Sequence, residues 1–216
     1  MDTIRNILEL IYFISGPALL IVAIYALRQI KEARNQVQET RKARLLSAKR
    51  ESYKIAADKC SYYMETVIPL MNILDKEIDS KKVTYFEKSV VTKTSNSYKL
   101  KPANISKEEK ETLFSLPITE VFNPLESFSL FFTSGVADEK VGYLTLGHTF
   151  CESVDSYLPI LIMLSSDQEH YNNIMQLFTI WNTRKEREKL EADKQRIEKA
   201  ISDKREITIK PIGTTD

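Results

Sequence analysis

"ITEVFNPLESFSLFFTSGVADEKVGYL", residues Ile118–Leu144, is the stretch that decides the fold. Leu125, Phe128, Phe131 and Phe132 recur at spacings of three and four, which places them on one apolar face of a helix. Asn123, Pro124 and Glu126 read as N-cap, first-turn proline and N3 carboxylate, Gly135 as the left-handed residue that ends the helix, and Asp138 as the cap of the next one. Beyond it, Val141, Leu144, Phe150, Val154, Tyr157, Leu161 and Leu164 continue at helical spacing, so an antiparallel helix pair is expected. Asp167 reads as the start of a final helix that turns Tyr171, Ile174, Leu177, Phe178 and Trp181 to the core. After Trp181 the chain is nearly all charge. Only Leu190, Ile197 and Ile201 keep an apolar seam, so 182–216 is expected to be a charged helical tail with a loose end at 207–216.

Upstream, Tyr63, Val67, Leu70, Leu74 and Ile78 form a second amphipathic stripe, with Pro69 expected to kink it. Periodicity then disappears over 79–104, which suits a short hairpin or a mobile loop inserted in a helical domain of 51–181. Lys81, Lys82, Lys88, Lys93, Lys99 and Lys101 alternate there with Tyr85, Phe86 and Tyr98. No nucleic-acid-binding motif accompanies them and acidic residues dilute the charge, so no nucleic-acid partner is expected. Ser106 with Glu109 three residues on reads as a capping box.

At the amino-terminal side, Ile7–Leu27 carries one charged side chain, Glu9, and about 20 apolar residues at helical rise match a hydrocarbon core of roughly 30 Å. A transmembrane anchor over 1–27 is therefore expected. A cleaved signal peptide is the rival, but its apolar region is shorter and no small-x-small site follows Leu27. Arg28, Lys31, Arg34, Arg41 and further basic residues follow at once, while only Asp2 and Arg5 precede. Positive charge stays inside, which implies a single pass through the cell inner membrane with the amino end outside and the domain cytoplasmic. The same basic residues would form an inner mouth or touch lipid headgroups. Asn6, Glu9, Phe13 and Gly16 share one stripe that could line a self-assembled bundle. Residues 28–50 read as a basic stalk helix, polar all round, in which Ile30 and Val37 with the Ala26, Ala33, Thr40 row would face partners in a homo-oligomer.

The totals agree with an all-α reading. In 216 residues there are only 5 glycines and 7 prolines, with 28% charged residues. The 31 Lys and Arg nearly cancel the 30 Asp and Glu, so any electrostatic role depends on local segregation. Cys60 and Cys151 sit far apart in helix-like apolar contexts and are expected to be buried reduced thiols. His148 with Cys151 is the one suggestive ligand pair, and two ligands do not make a metal site. No nucleophile with a neighbouring base and no glycine-rich phosphate loop is present, so neither a cofactor nor catalysis is expected.

On Asn123, Glu126, Gly135 and Asp138, following an amino-terminal apolar segment and a charged helix, the chain resembles a family of small bacterial single-pass membrane proteins of unknown function. That resemblance covers the anchor and roughly 118–181 and implies an all-α cytoplasmic domain. In layout the chain is also similar to the family of membrane accessory proteins of type VI RNA-targeting CRISPR systems, which joins one span to a diverged HEPN-like domain and assembles into a pore. The Arg-x4-6-His motif of HEPN nucleases is absent, because neither His148 nor His170 has an Arg at that distance upstream. The resemblance implies a membrane-anchored oligomer that perturbs the membrane in bacterial antiviral defence. The other expectation is a membrane-tethered scaffold for a cytoplasmic protein partner.

Overall fold

The computed structural model describes residues 2–94, 98–168 and 170–204, apart from the side chains of residues 2, 10, 11, 14, 18 and 166–168. The expected loose end at 207–216 lies outside the described residues. The chain is mostly helical: α1 Asp2–Tyr62, a π-helical turn Tyr63–Val67, α2 Ile68–Ser80, α3 Tyr85–Lys88, α4 Lys107–Phe114, α5 Ile118–Thr133, α6 Glu139–Gln168 and α7 Asn172–Ser202. The 79–104 insertion holds α3 and a two-stranded antiparallel hairpin, β1 Val90–Lys93 with β2 Tyr98–Lys101, in which Val90 pairs with Lys101 and Lys93 with Tyr98. By its internal contacts the chain divides into two compact units, 1–51 and 52–216.

In the first unit α1 is exposed along every described side chain, including Ile30 and Val37. Among the described residues no helix is long and apolar enough to cross a membrane, so a spanning segment over Ile7–Leu27 is without structural support. Among the side chains that are described, Glu9, Tyr12, Ser15, Gly16 and Pro17 lower the apolarity of its first half. Leu10, Ile11, Ile14 and Ala18 belong to the same run, and their side chains lie outside the description.

The second unit is a helical bundle around an aromatic core. Trp181, Phe128 and Phe150 are fully buried, and the Trp181 ring lies 5.0 Å from Phe150 and 5.6 Å from Phe132 in edge-on geometry. Offset and edge-on pairs of this kind add about 0.5–1.5 kcal/mol each beyond the area they bury. α7 packs along both α5 and α6, so the expected pair is really a three-helix layer with α7 bridging. Phe131 is only half-buried, with the Lys59 ammonium 3.8 Å from its ring centre. Leu144 is exposed, and Tyr143 and Leu146 take the buried positions instead. The face is rotated because Gly142 admits the Phe132 ring: a Cβ there would stand 2.3 Å from Phe132 Cε1.

Two further local readings are corrected. α5 begins at Ile118, so Asn123 and Pro124 lie inside it and neither starts a helix; Leu116 and Pro117 have already turned the chain. α6 continues through Asp167, and the last helix starts at Asn172 after Tyr171, whose φ of 62° makes the tight connection. The second stripe resumes on the same face beyond Pro69, as expected, with the α-helix interrupted just before it. The π-helical turn ahead of it, with the Ile68 N–H bonded back to Tyr63, shifts the hydrogen-bond pattern before the residue that has no N–H, and Tyr63, Val67, Met71 and Leu74 all remain buried. Gly135, at φ 73°, does terminate α5, and the Asp138 carboxylate does cap α6 by accepting the Val141 N–H at 2.9 Å.

Candidate functional site

Three groups of residues compete for the role of functional site, and the fold treats them differently. Asn6, Glu9, Phe13 and Gly16 all lie on α1 in the first unit, and all are exposed. Glu9 is 3.5 Å from Arg5 one turn before it, and an added Cβ at Gly16 would meet nothing within 4 Å. Arg28, Lys31, Arg34 and Arg41 are exposed on the same helix. Arg34 and Arg41 border the shallow row made by Ile30, Ala33 and Val37, which Thr40 extends. The unit thus presents an apolar and small-residue row edged by guanidinium groups.

Asn123, Glu126 and Asp138 belong to the second unit and serve its architecture. The Glu126 carboxylate accepts the backbone N–H groups of Asn173 at 3.1 Å and Ile174 at 3.0 Å, and the Asn173 side-chain amide at 2.7 Å. It therefore caps the amino end of α7 from a neighbouring helix, where an anion also meets the positive end of the helix dipole. Asn123 accepts from the Tyr171 hydroxyl at 3.3 Å. Asp138 stands beyond the opposite end of α5, where its backbone N–H donates to Ser52 at 3.1 Å. The motif does not converge on one point.

Sequence reasoning missed the third group. α2, α3 with β1, and the carboxyl-terminal half of α6 border an open cleft of about 480 Å³, within the range of small-molecule sites. Its apolar lining comes from Ile78, Phe86, Val91, Leu158 and Pro159, its polar lining from Asp75, Glu87, Ser89, Asp155, Ser156 and Tyr157. A neighbouring depression of about 280 Å³ shares Asp75, Ser156 and Tyr157. The Tyr157 hydroxyl donates to Asp75 at 2.5 Å, and burial together with that carboxylate pushes its pKa well up, so it stays a phenol. Ile78 and Tyr157 stand in the apolar stripes as core residues, whereas no periodic pattern marks Asp75, Glu87, Ser89, Asp155 or Ser156, which is why the polar lining was passed over. The one available signal was the run of Ser153, Asp155 and Ser156 just before Pro159.

Other candidate chemistry is dispersed. His148 is exposed and lies 3.8 Å from Glu188, whereas Cys151 is buried, so the two do not share a site. Among the described residues no three His, Cys, Asp or Glu side chains gather closely enough to hold a metal ion. Cys60 and Cys151 are free and buried, and burial pushes the Cys151 thiol up to about 12. Of the lysines in the insertion, Lys93 is taken up by Glu186 at 2.5 Å and Lys81 by Glu77 at 2.9 Å. At the start of α6, Glu139 accepts from Trp181 Nε1 at 2.7 Å and Arg184 at 2.9 Å, and the Arg184 guanidinium lies 4.5 Å from the Tyr143 ring centre. This polar brace was also absent from the sequence reading. Comparison with family models, curated proteins and solved structures returns no match to this chain.

Proposed function

We propose that the chain is a membrane-tethered helical module that self-associates through the first unit. The observation that carries this reading is the exposure of α1 on every described side chain through Arg50, Ile30 and Val37 included. A helix that buries no face within its own chain is marginal alone and gains its stability from a partner or from lipid. Ile30 and Val37 repeat at seven residues and alternate at spacings of four and three with Ala26, Ala33 and Thr40, which is the spacing of a short coiled-coil seam with small residues that let helices approach. Ile7–Leu27, with its single carboxylate, supplies the tether, and the basic run after it sets the cytoplasmic side. Perturbation of the membrane in bacterial antiviral defence is the activity that the layout resemblance supports for such an assembly.

Two measurements separate the parts. After expression, the full chain stays with the membrane fraction under alkaline carbonate extraction, while a chain without residues 2–27 is released; equal release of both would remove the tether. In mild detergent, light scattering gives a multiple of the chain mass, and Ile30→Glu with Val37→Glu reduces it to one; a monomeric parent chain defeats self-association. A second reading, a tether for a cytoplasmic protein, is favoured by the exposed Leu190, Ile197 and Ile201 seam on α7. It expects that deletion of 182–216 abolishes recovery of the partner while leaving the assembly mass per chain unchanged.

A further inference from the structure

The first half of α7 is fastened to its bundle and the second half is not. Arg184 reaches Glu139, Lys185 reaches Glu152, and Glu188 accepts the Tyr143 hydroxyl. Past Glu188 the ion pairs among the described residues stay within α7: Arg187 with Glu191 at 2.8 Å, Lys194 with Glu198 at 3.6 Å and Arg196 with Asp193 at 3.6 Å. On this free half Leu190, Ile197 and Ile201 leave 69%, 60% and 67% of their surface in solvent. With Arg187 and Lys194 they form one row, 187, 190, 194, 197 and 201, at alternating spacings of three and four, which is the seam of a coiled coil. Glu191 and Glu198 flank the side of the row that holds Lys194 and Ile201, and Glu186 and Asp193 flank the side that holds Leu190 and Ile197.

The charges select the occupant of this seam and its direction. A parallel second copy would stack Lys194 on the partner's Lys194 and Arg187 on the partner's Arg187, and would set Glu186 against the partner's Glu191 and Asp193 against the partner's Glu198 along both edges. Like charges would meet at every polar position. Reversed, with Leu190 against the partner's Ile201 and Lys194 against the partner's Ile197, the same row is complementary to itself. Each Lys194 then lays its hydrocarbon stem on an isoleucine and its ammonium beside the partner's Glu198, while Asp193 faces the partner's Ala200. We propose that the free ends of α7 from two copies of the chain pair antiparallel in this register. The contact is isologous and joins copies two by two. About two heptads are marginal for an isolated pair, so the contact rests on self-association through the first unit, which raises the local concentration of the free ends.

Oxidative cross-linking of the full-length chain in mild detergent tests this, with the parent chain, whose Cys60 and Cys151 are buried, as background. Co-expressed Leu190→Cys and Ile201→Cys chains, told apart by tag size, are expected to form a disulfide between unlike chains, whereas either variant alone stays at background. Lys194→Glu in both chains lowers the yield about fivefold or more, and Lys194→Glu with Glu198→Lys restores it, because the exchanged pair again has opposite signs. All four positions are exposed, and an unchanged circular-dichroism melt verifies folding. Should a variant melt early, the parent chain still decides: carbodiimide coupling of mixed light and heavy-nitrogen chains gives Lys194–Glu198 peptides of mixed label when the pair spans two copies, and their absence counts against the contact. A disulfide within Leu190→Cys alone means a parallel pair, and a disulfide to a chain of another mass means a different protein on the seam. A multimer by light scattering without any disulfide means self-association through the first unit only. Each of these overturns the antiparallel contact and leaves the first unit's role standing, whereas a monomeric parent chain overturns both.

Discussion

The Glu126 carboxylate gathers three N–H donors at the amino end of α7, two of them backbone groups with no partner in their own helix. Glu126→Ala leaves them half-buried and unpaired and is expected to cost about 1–3 kcal/mol, read as a lower urea midpoint. Glu126→Gln keeps one acceptor and costs less. Asn123→Ala, which loses one 3.3 Å contact at an exposed position, stays within about 0.5 kcal/mol of the parent. The sequence identified the right residue types for capping and assigned them to the wrong helix. A capping pattern is local, whereas the helix whose donors face the carboxylate is settled by packing. Ser106 and Glu109 repeat the lesson: Ser106 caps α4 by accepting the Glu109 N–H at 3.1 Å, but the Glu109 carboxylate reaches across to the Thr84 backbone N–H and hydroxyl. That backbone bond first of all holds its pKa below the usual carboxylate value.

α6 passes close to α5 at one glycine. Gly142 lies against Phe132, which in turn packs on Phe128 and Trp181. Gly142→Ala forces the Phe132 ring to move within a closely packed cluster, and overpacking of this kind costs about 1–3 kcal/mol. The expected readout is a fall in thermal midpoint of roughly 2–4 °C per kcal/mol for a chain of this size. Gly135→Ala, which meets no neighbour but sits at φ 73°, is expected to cost about 1 kcal/mol through backbone conformation alone. α2, α5, α6 and the first part of α7 were legible because apolar spacing of three and four is written along them. Their partners were not: Leu144 suited the stripe on paper, yet the absence of a side chain at Gly142 turns Tyr143 and Leu146 inward in its place.

Across the second unit as a whole, burial raises the pKa of several acids together. Tyr63 and the Cys151 thiol are each pushed up to about 12, mainly by desolvation, and Tyr143 and Tyr157 rise as well, with Glu188 and Asp75 adding to burial. In each case the fold favours the protonated form. The stability this supplies is fully present below the ordinary values of 9.0 for the thiol and 10.0 for the phenols, and is lost as pH rises from there through the folded values. Denaturant midpoints are therefore expected to hold up to pH 8 and to drop between about pH 9 and 12, with phenolate absorbance appearing together with unfolding. Thiol reagents at pH 8 are expected to leave Cys60 and Cys151 unmodified in the folded chain and to label both in urea. A phenolate signal well before loss of helical ellipticity would contradict the burial.

The amino-acid order by itself determined that this protein is built of helices, where most of them lie, and which stretch of α1 carries charge on all sides, because these properties depend on residues within a few positions of one another. Only the tertiary structure decided that Glu126 caps α7, that α7 bridges α5 and α6, and that Asp75, Glu87 and Asp155 border one cleft. Those outcomes depend on which surfaces desolvate against each other, and residues far apart along the chain share no local pattern that records it.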